Sequence, residues 1–530
     1  MTNHWIDYRN SDVLMNIGGN TAENHPISMK WIEHARTNRG AKLIVVDPRI
    51  TRTAAVADLH VPIRPGTNIA YLGGLMSYIM EHDLCQEEYV KYYTNASYLL
   101  QDDFDWDDET GLFSGAEDDA PDKPIKYSKD SWAYRKDAAG NVLKDLTLQD
   151  PRCVYQVMKQ FYSRYTLEMV SKITGCDTAV LEESYQLYGS TGAREKAGNL
   201  MYAMGITQFT HGAQNVRACA MVQLLLGNMG IPGGGVNAQR GQSNVQGSTD
   251  MAIMYHIIPG YLSAPKAAVH PTLADYNEKE TPAKSWWVNK PKYLASMLKA
   301  FWGDHATPEN DFCYDFLPKL DNRDHSHIGM YKFMGEGEVK GMICWADNPA
   351  VSGPSSSYKR GYQGKLDWLV GVDIFENETC AFWKAPGANP AEIDTEVFML
   401  PATSAYEREG TVANSGRWIQ WRWKGQQAPG ECRSDLQIAF ELFKRLQEAY
   451  AADAGAVFPD PITKMKWDYA DDTDPDKVDI VKVCKDLNGY TVADGKLLTN
   501  FVGLQDDGST ACGNWLYSGY YNNYENPACK

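Results

Sequence analysis

The first fifty residues constrain the fold most. Asp12-Val-Leu-Met-Asn-Ile17 and Ala41-Lys-Leu-Ile-Val-Val46 are apolar along most of their length, so both read as strands buried on two faces. Between them lie the turn Gly18-Gly-Asn-Thr-Ala-Glu-Asn-His-Pro26 and a helical stretch through Arg36; the second strand ends at Asp47-Pro-Arg49. Strand, glycine turn, helix, strand and acid make an α/β unit in which nucleotides bind beyond the carboxyl ends of parallel strands. An acid at that place suits ribose hydroxyls. The Gly-x-Gly-x-x-Gly fingerprint is absent, which points away from a simple nicotinamide dinucleotide and towards another nucleotide-bearing cofactor.

The same logic recurs downstream. Residues 58–63 give a third strand, and the turn Arg64-Pro-Gly-Thr-Asn68 enters an amphipathic helix over 69–81, where Thr67 or Asn68 either caps the helix or meets a base edge. Residues 101–150 shift to Asp, Lys, Gly and Tyr with weak periodicity, an acidic excursion that is surface or partner-facing. Helices are predicted over 153–165, 167–173, 178–188 and 215–226, and a strand over 197–204 closed by Gly205-Ile-Thr-Gln208. Further strands at 341–346 and 366–372 run into Asp347-Asn-Pro349 and Asp373, and 396–401 adds another. The chain thus offers two nucleotide-type edges, one around Asn20 and Asp47, the other around Asn348 and Asp373. Helices are also read over 293–301 and 435–450, followed by an irregular, aromatic-rich stretch to Lys530.

The organising stretch is 227–250, where Arg240 stands among glycines with Gln242, Ser243, Asn244 and Gln246 as hydrogen-bond donors. A long surface loop is the bland alternative. A lone guanidinium in a glycine-rich run beside four hydrogen-bonding side chains favours a pocket for a large polar cofactor or a small carboxylate. Eleven cysteines form no Cys-x-x-Cys pair and read mostly as small buried residues, so no metal ligand set is visible. His325-Ser-His327 reads as a solvated loop. A net charge of −17 with scattered Lys and Arg argues against a nucleic-acid partner, and no apolar run reaches the ~20 residues that span a membrane.

Together these motifs resemble the molybdopterin-guanine-dinucleotide oxidoreductases, and within them the catalytic (alpha) subunits of respiratory, nitrate-inducible-type formate dehydrogenases. The resemblance rests on Ile17-Gly-Gly-Asn-Thr-Ala-Glu-Asn-His-Pro26, Val46-Asp-Pro-Arg49, Gly205-Ile-Thr-Gln208, Leu226-Gly-Asn-Met-Gly230, Val236-Asn-Ala-Gln-Arg-Gly-Gln242, Asn244-Val-Gln-Gly247 and Val412-Ala-Asn-Ser-Gly-Arg417. It implies an α/β fold of two dinucleotide-binding-type αβα domains, 1–241 with the 101–150 insertion and 242–424, and a remnant at 425–530 that packs against an iron–sulfur domain. By matching position, Gly19, Asn20, Glu23, Asn24, Asp47, Arg49 and Asn68 would hold one guanine dinucleotide. Met204, Gly205, Gln208, Asn348, Ser352 and Asp373 would hold the other, with Arg240 and Gln242 orienting formate at the metal.

The implied cofactor is bis-molybdopterin guanine dinucleotide with molybdenum or tungsten. The implied reaction is formate oxidation to carbon dioxide, with electrons leaving through an iron–sulfur chain. Implied partners are an iron–sulfur beta subunit and a membrane cytochrome subunit, in the periplasm and without direct membrane insertion. The 4Fe-4S cysteines, the metal-ligating selenocysteine or cysteine and the C-terminal barrel domain of relatives have no match in this sequence. It therefore reads as an internal piece, begun at Met1 downstream of a selenocysteine codon and inactive alone. Two other readings are a related reductase of nitrate, thiosulfate or arsenic oxyanions and a non-catalytic docking fragment.

Overall fold

The computed structural model describes residues 2–117 and 125–527; Met1, 528–530 and 118–124 of the acidic excursion lie outside them. The chain divides into two compact units, Met1–Ser243 with Ser415–Arg417, and Asn244–Asn414 with Trp418–Lys530.

Unit 1 is built on a five-stranded parallel sheet of β1 (Val13–Ile17), β2 (Lys42–Val46), β3 (Leu59–Val61), β4 (Gly198–Tyr202) and β5 (Val236–Ala238). The order β3-β2-β1-β4-β5 places the reversal of direction between β1 and β4, where doubly wound sheets open a crevice beyond their carboxyl ends. Helix α1 (Pro26–Arg39) starts on a proline and stops at Gly40, whose φ of 70° only glycine adopts without strain. Helix α2 (Asn68–Glu81) is not amphipathic as its sequence suggests; it is buried on almost every side. It shares one core with the sheet and packs against the helices Gly212–Leu225, Val154–Tyr162, Leu167–Thr174 and Thr178–Gly189. Gly73 and Gly74 make that possible. A methyl group on Gly74 would lie 2.6 Å from the Tyr185 hydroxyl.

The glycine-rich stretch after helix α3 (Gly212–Leu225) is held by buried amides rather than by apolar packing. Gln223 Nε2 donates to the carbonyls of Gly198 (2.8 Å) and Gly235 (2.7 Å), Asn228 Oδ1 accepts from the Gly198 N–H (2.9 Å), and Asn237 Nδ2 donates to Asn199 Oδ1 (2.8 Å). These bonds carry the chain back into the sheet as β5, a strand that its sequence does not announce.

Unit 2 has a three-stranded parallel sheet of β6 (Gly341–Trp345), β7 (Trp368–Asp373) and β8 (Glu396–Pro401), with β7 central. The polar turn near Arg417 joins the antiparallel pair β9 (Gly410–Ala413) and β10 (Ile419–Arg422). Residues 425–530 are in this unit. The Trp515 ring stacks on Tyr293 of helix α4 (Lys290–Trp302) at 4.4 Å and 4°. Helix α5 (Asp435–Ala452) is as expected, but helix α6 (Ile480–Asn488), capped by Asp479, falls in the stretch taken as irregular. His327 likewise heads a helix, His327–Gly335, capped by Ser326, instead of lying in a loop. Among the described residues no helix is long and apolar enough to cross a membrane.

Substituting Gln223→Met removes its bonds to the Gly198 and Gly235 carbonyls and to the Tyr188 hydroxyl, at a cost of about 1–3 kcal/mol. Urea unfolding followed by hydrogen exchange should show the loss concentrated in β4 and β5; protection unchanged there would refute this bracing role.

Candidate functional site

In unit 1 the carboxyl ends of β1, β2, β4 and β5 gather the sequence-predicted residues on one edge. Gly18 leaves β1 with φ of 62° and donates its N–H to the Val46 carbonyl at 3.0 Å. Its own carbonyl accepts the Gly205 N–H, also at 3.0 Å, so the turns after β1 and β4 touch backbone to backbone. A Cβ on Gly18 would fall 2.5 Å from the Gly205 carbonyl carbon, and one on Gly205 would fall 2.7 Å from Gly18 Cα. Glycine is required on both sides.

Beyond that contact, Asn20 precedes the one-turn helix Thr21–Asn24. Its Nδ2 donates to Glu23 (2.7 Å), and its Oδ1 accepts from the N–H and hydroxyl of Thr53 (3.3 and 3.0 Å). Asn24 and Arg49 are exposed, and Asp47 is half-buried, accepting the Arg49 N–H at 2.9 Å. Asn68 is the first residue of α2, where its side chain caps nothing and approaches the Gly205 carbonyl at 3.5 Å. Met204 and Gln208 stand exposed on the short helix Met204–Thr207 and just after it.

Arg240 follows β5 on the same edge. Its main chain is fixed from both sides: the His25 ring Nε2 donates to its carbonyl at 2.7 Å, and its N–H donates to Ser415 Oγ at 3.1 Å. Among the described residues its guanidinium enters no ion pair, unlike Arg36, Arg39 and Arg52 of the same unit. Gln242 is exposed two residues on. Asn244 and Gln246, also expected in this role, make bonds within unit 2. Asn244 Oδ1 accepts the Ala413 N–H (2.9 Å), and Gln246 Nε2 donates to Asp250 and the Tyr261 hydroxyl (2.8 Å each), so the Gln246 donor is spent inside unit 2.

Two further features of this edge were not read from the sequence. His25 and Ser415 position Arg240, and neither carries a local signal, because Ser415 reaches Arg240 over 175 residues. The turn also contains unspent polarity. Asn16 Oδ1 and His25 Nδ1 are buried without a hydrogen-bond partner among the described residues, and the space a Gly19 Cβ would fill lies 2.6 Å from Asn16 Oδ1. Glycines, amides, the carboxylates of Glu23 and Asp47 and the Arg240 guanidinium suit an anionic, hydroxyl-rich ligand such as a nucleotide.

In unit 2, Ala346, at φ of 51°, and Asp347 follow β6, and Asn348 precedes the one-turn helix Pro349–Ser352. Asn348 Nδ2 donates to Glu378 (2.6 Å), Ser352 Oγ to Asp347 (3.4 Å), and Asn377 Nδ2 to Asp373 at the end of β7 (2.8 Å). A cavity of about 760 Å³ in this unit lies elsewhere, lined by α5 and charged side chains such as Arg433 and Glu441, which pair with each other. It contains none of the predicted residues.

A parallel sheet of this order with its glycine edge defines a class. The molybdopterin oxidoreductase family matches residues 1–445, and the chain belongs to that family. It is 44% identical to the formate dehydrogenase subunit alpha of Megalodesulfovibrio gigas, over all of this chain and 53% of that protein. It is 43% identical to the major subunit of the nitrate-inducible formate dehydrogenase of Escherichia coli (strain K12), over 98% of this chain and 52% of that protein. The F420-dependent formate dehydrogenase 1 subunit alpha of Methanococcus maripaludis is more distant, 29% identical over 84% of this chain and 49% of its own length. The chain spans about half the length of these relatives.

Burial holds the His25 imidazole below its ordinary value, and the weaker effect of its bond to the Arg240 carbonyl opposes this. The unfolded chain binds that proton near pH 6.5 and the folded chain only at lower pH, so the stability His25 confers is present above 6.5 and is lost as pH falls from there through the folded value. Urea midpoints at pH 7.5 and 5 should therefore fall less for His25→Gln than for the parent. An equal fall would show that His25 does not contribute.

Proposed function

We propose that this chain is the part of a formate dehydrogenase catalytic subunit that grips a bis-molybdopterin guanine dinucleotide centre and orients formate. The support is the guanidinium of Arg240. Among the described residues it stands without an ion pair, at the carboxyl edge of a doubly wound sheet, and its main chain is pinned by His25 and Ser415. The family and the formate dehydrogenases among its relatives support the same reading.

Gly19, Asn20, Glu23, Asn24, Asp47, Arg49 and Asn68 would hold a guanine dinucleotide on unit 1, where Met204, Gly205 and Gln208 share the edge. Asn348, Ser352 and Asp373 would hold one on unit 2. In this reading 1–241 and 242–424 are the two nucleotide-binding domains. When bound, the molybdenum or tungsten centre supplies the two-electron acceptor that carbon–hydrogen oxidation requires.

The chain's own residues position. Arg240 presents a planar fork of donors that pairs with both oxygens of a carboxylate. Its pinned main chain restricts where that fork can point, so the fixed geometry contributes to rate as well as to binding. Gln242 adds a neutral amide next to it. An iron–sulfur beta subunit, a membrane cytochrome subunit, a 4Fe-4S cluster of the complete subunit and a periplasmic location belong to the same proposal.

The purified holoenzyme should reduce a viologen dye with formate. In it, Arg240→Lys should lower kcat/KM for formate about 100-fold, the effect of roughly 2.7 kcal/mol of lost transition-state stabilisation, with bound guanine unchanged. Turnover of nitrate or thiosulfate without formate would place the protein among the oxyanion reductases instead.

A further inference from the structure

The two units share a device that their sequences hide. In unit 1, Gly18 has φ of 62° and donates to the carbonyl of Val46, and two residues later Asn20 has φ of −127° and ψ of 69°. In unit 2, Ala346 has φ of 51° and donates to the carbonyl of Val372, and two residues later Asn348 has φ of −125° and ψ of 66°. Val46 and Val372 each precede the aspartate at the strand end, Asp47 and Asp373.

The hydrogen bonds match as closely as the angles. Asn20 Oδ1 accepts from the N–H and hydroxyl of Thr53 (3.3 and 3.0 Å), and Thr53 Oγ1 in turn accepts the Ala22 N–H (3.0 Å). Asn348 Oδ1 accepts from the N–H and hydroxyl of Thr379 (3.1 and 2.8 Å), and Thr379 Oγ1 accepts the Ala350 N–H (3.1 Å). Each threonine is fully buried and stands six residues after its aspartate. Two details around this clasp differ. The left-handed residue is glycine in one unit and alanine in the other, and the carboxylate facing the asparagine Nδ2 comes from the one-turn helix in unit 1 and from the residue before the threonine in unit 2.

Preservation of the clasp where the left-handed residue and the source of the carboxylate both change indicates what it does. An asparagine amide at a turn rotates freely and can bond its own backbone. Two donors from one buried threonine hold the amide oxygen, fix the amide plane and tie the strand turn to the neighbouring strand's loop. We propose that Thr53 and Thr379 are matched positioning residues, each locking the asparagine of its unit's edge in the orientation that receives a guanine nucleotide. This rests on the nucleotide-edge reading above, and the hydroxyl, not the bulk, of each threonine is the active part.

The test is bound guanine per chain in the purified holoenzyme, released by acid and quantified, with the thermal midpoint measured alongside. Thr53→Val and Thr379→Val keep the volume and remove the hydroxyl; Thr53→Ser and Thr379→Ser keep the hydroxyl and remove a methyl. Each valine variant should fall from two guanines to one, the double valine variant should lose both, and the serine variants should retain two. A threonine that only fills space would give the reverse order, with valine harmless and serine damaging, and would overturn the proposal, as would two guanines in every variant. If a valine variant fails to fold, its serine counterpart decides: retained guanine at a lowered midpoint supports the hydroxyl role, and lost guanine contradicts it. A parent holoenzyme without guanine would refute the nucleotide-edge reading itself.

Discussion

The edge of the first unit depends on two backbones that touch. The Gly18 carbonyl receives the Gly205 N–H at the point where the sheet reverses direction, and neither residue has space for a side chain. That contact brings the β1 turn, with Asn20, and the β4 turn, with Met204 and Gln208, onto one rim. Any side chain between them would push the rim apart, so the two glycines govern the geometry of every residue that follows.

The second constraint is polar. Unit 1 buries Asn16, Asn199, Gln223, Asn228, Asn237 and Gln239 almost completely. Each buried amide demands partners, and Asn16, Asn199, Gln223 and Asn228 find some of theirs in backbone groups of glycines, which lack packing atoms of their own. The amides therefore do for the stretch 227–241 what apolar side chains do elsewhere: they order it and deliver Arg240 to the edge. A guanidinium at the end of a floppy loop would lose its directional advantage to conformational freedom.

Much of the fold was legible because buried strands and packed helices write their periods into the sequence. The strands at 13–17, 42–46 and 396–401 and the helices around 154, 167, 178 and 435 appear where the apolar spacing puts them. The failures have distinct causes. β5 is a three-residue strand flanked by glycine and amides, so it has no apolar run to betray it. Helix α2 looked amphipathic because Gly73, Gly74 and Ser77 read as a polar face, yet glycine is also what lets another helix come close. At the edge, Arg240 and the turn glycines stood out by their chemistry, whereas Gln246 looked like a ligand donor because a hydrogen-bonding side chain does not reveal its partner.

The sequence by itself determined the α/β class, the family and the identity of the chemically distinctive residues, since these depend on local period, on motif and on side-chain type. Only the tertiary structure decided which donors remain available, that His25 and Ser415 fix Arg240, and that Thr53 and Thr379 perform the same task in two units. Those facts rest on hydrogen bonds between residues 31 to 215 positions apart. The angular requirements of such bonds are met only once the sheets have formed, so no stretch of sequence read locally contains them.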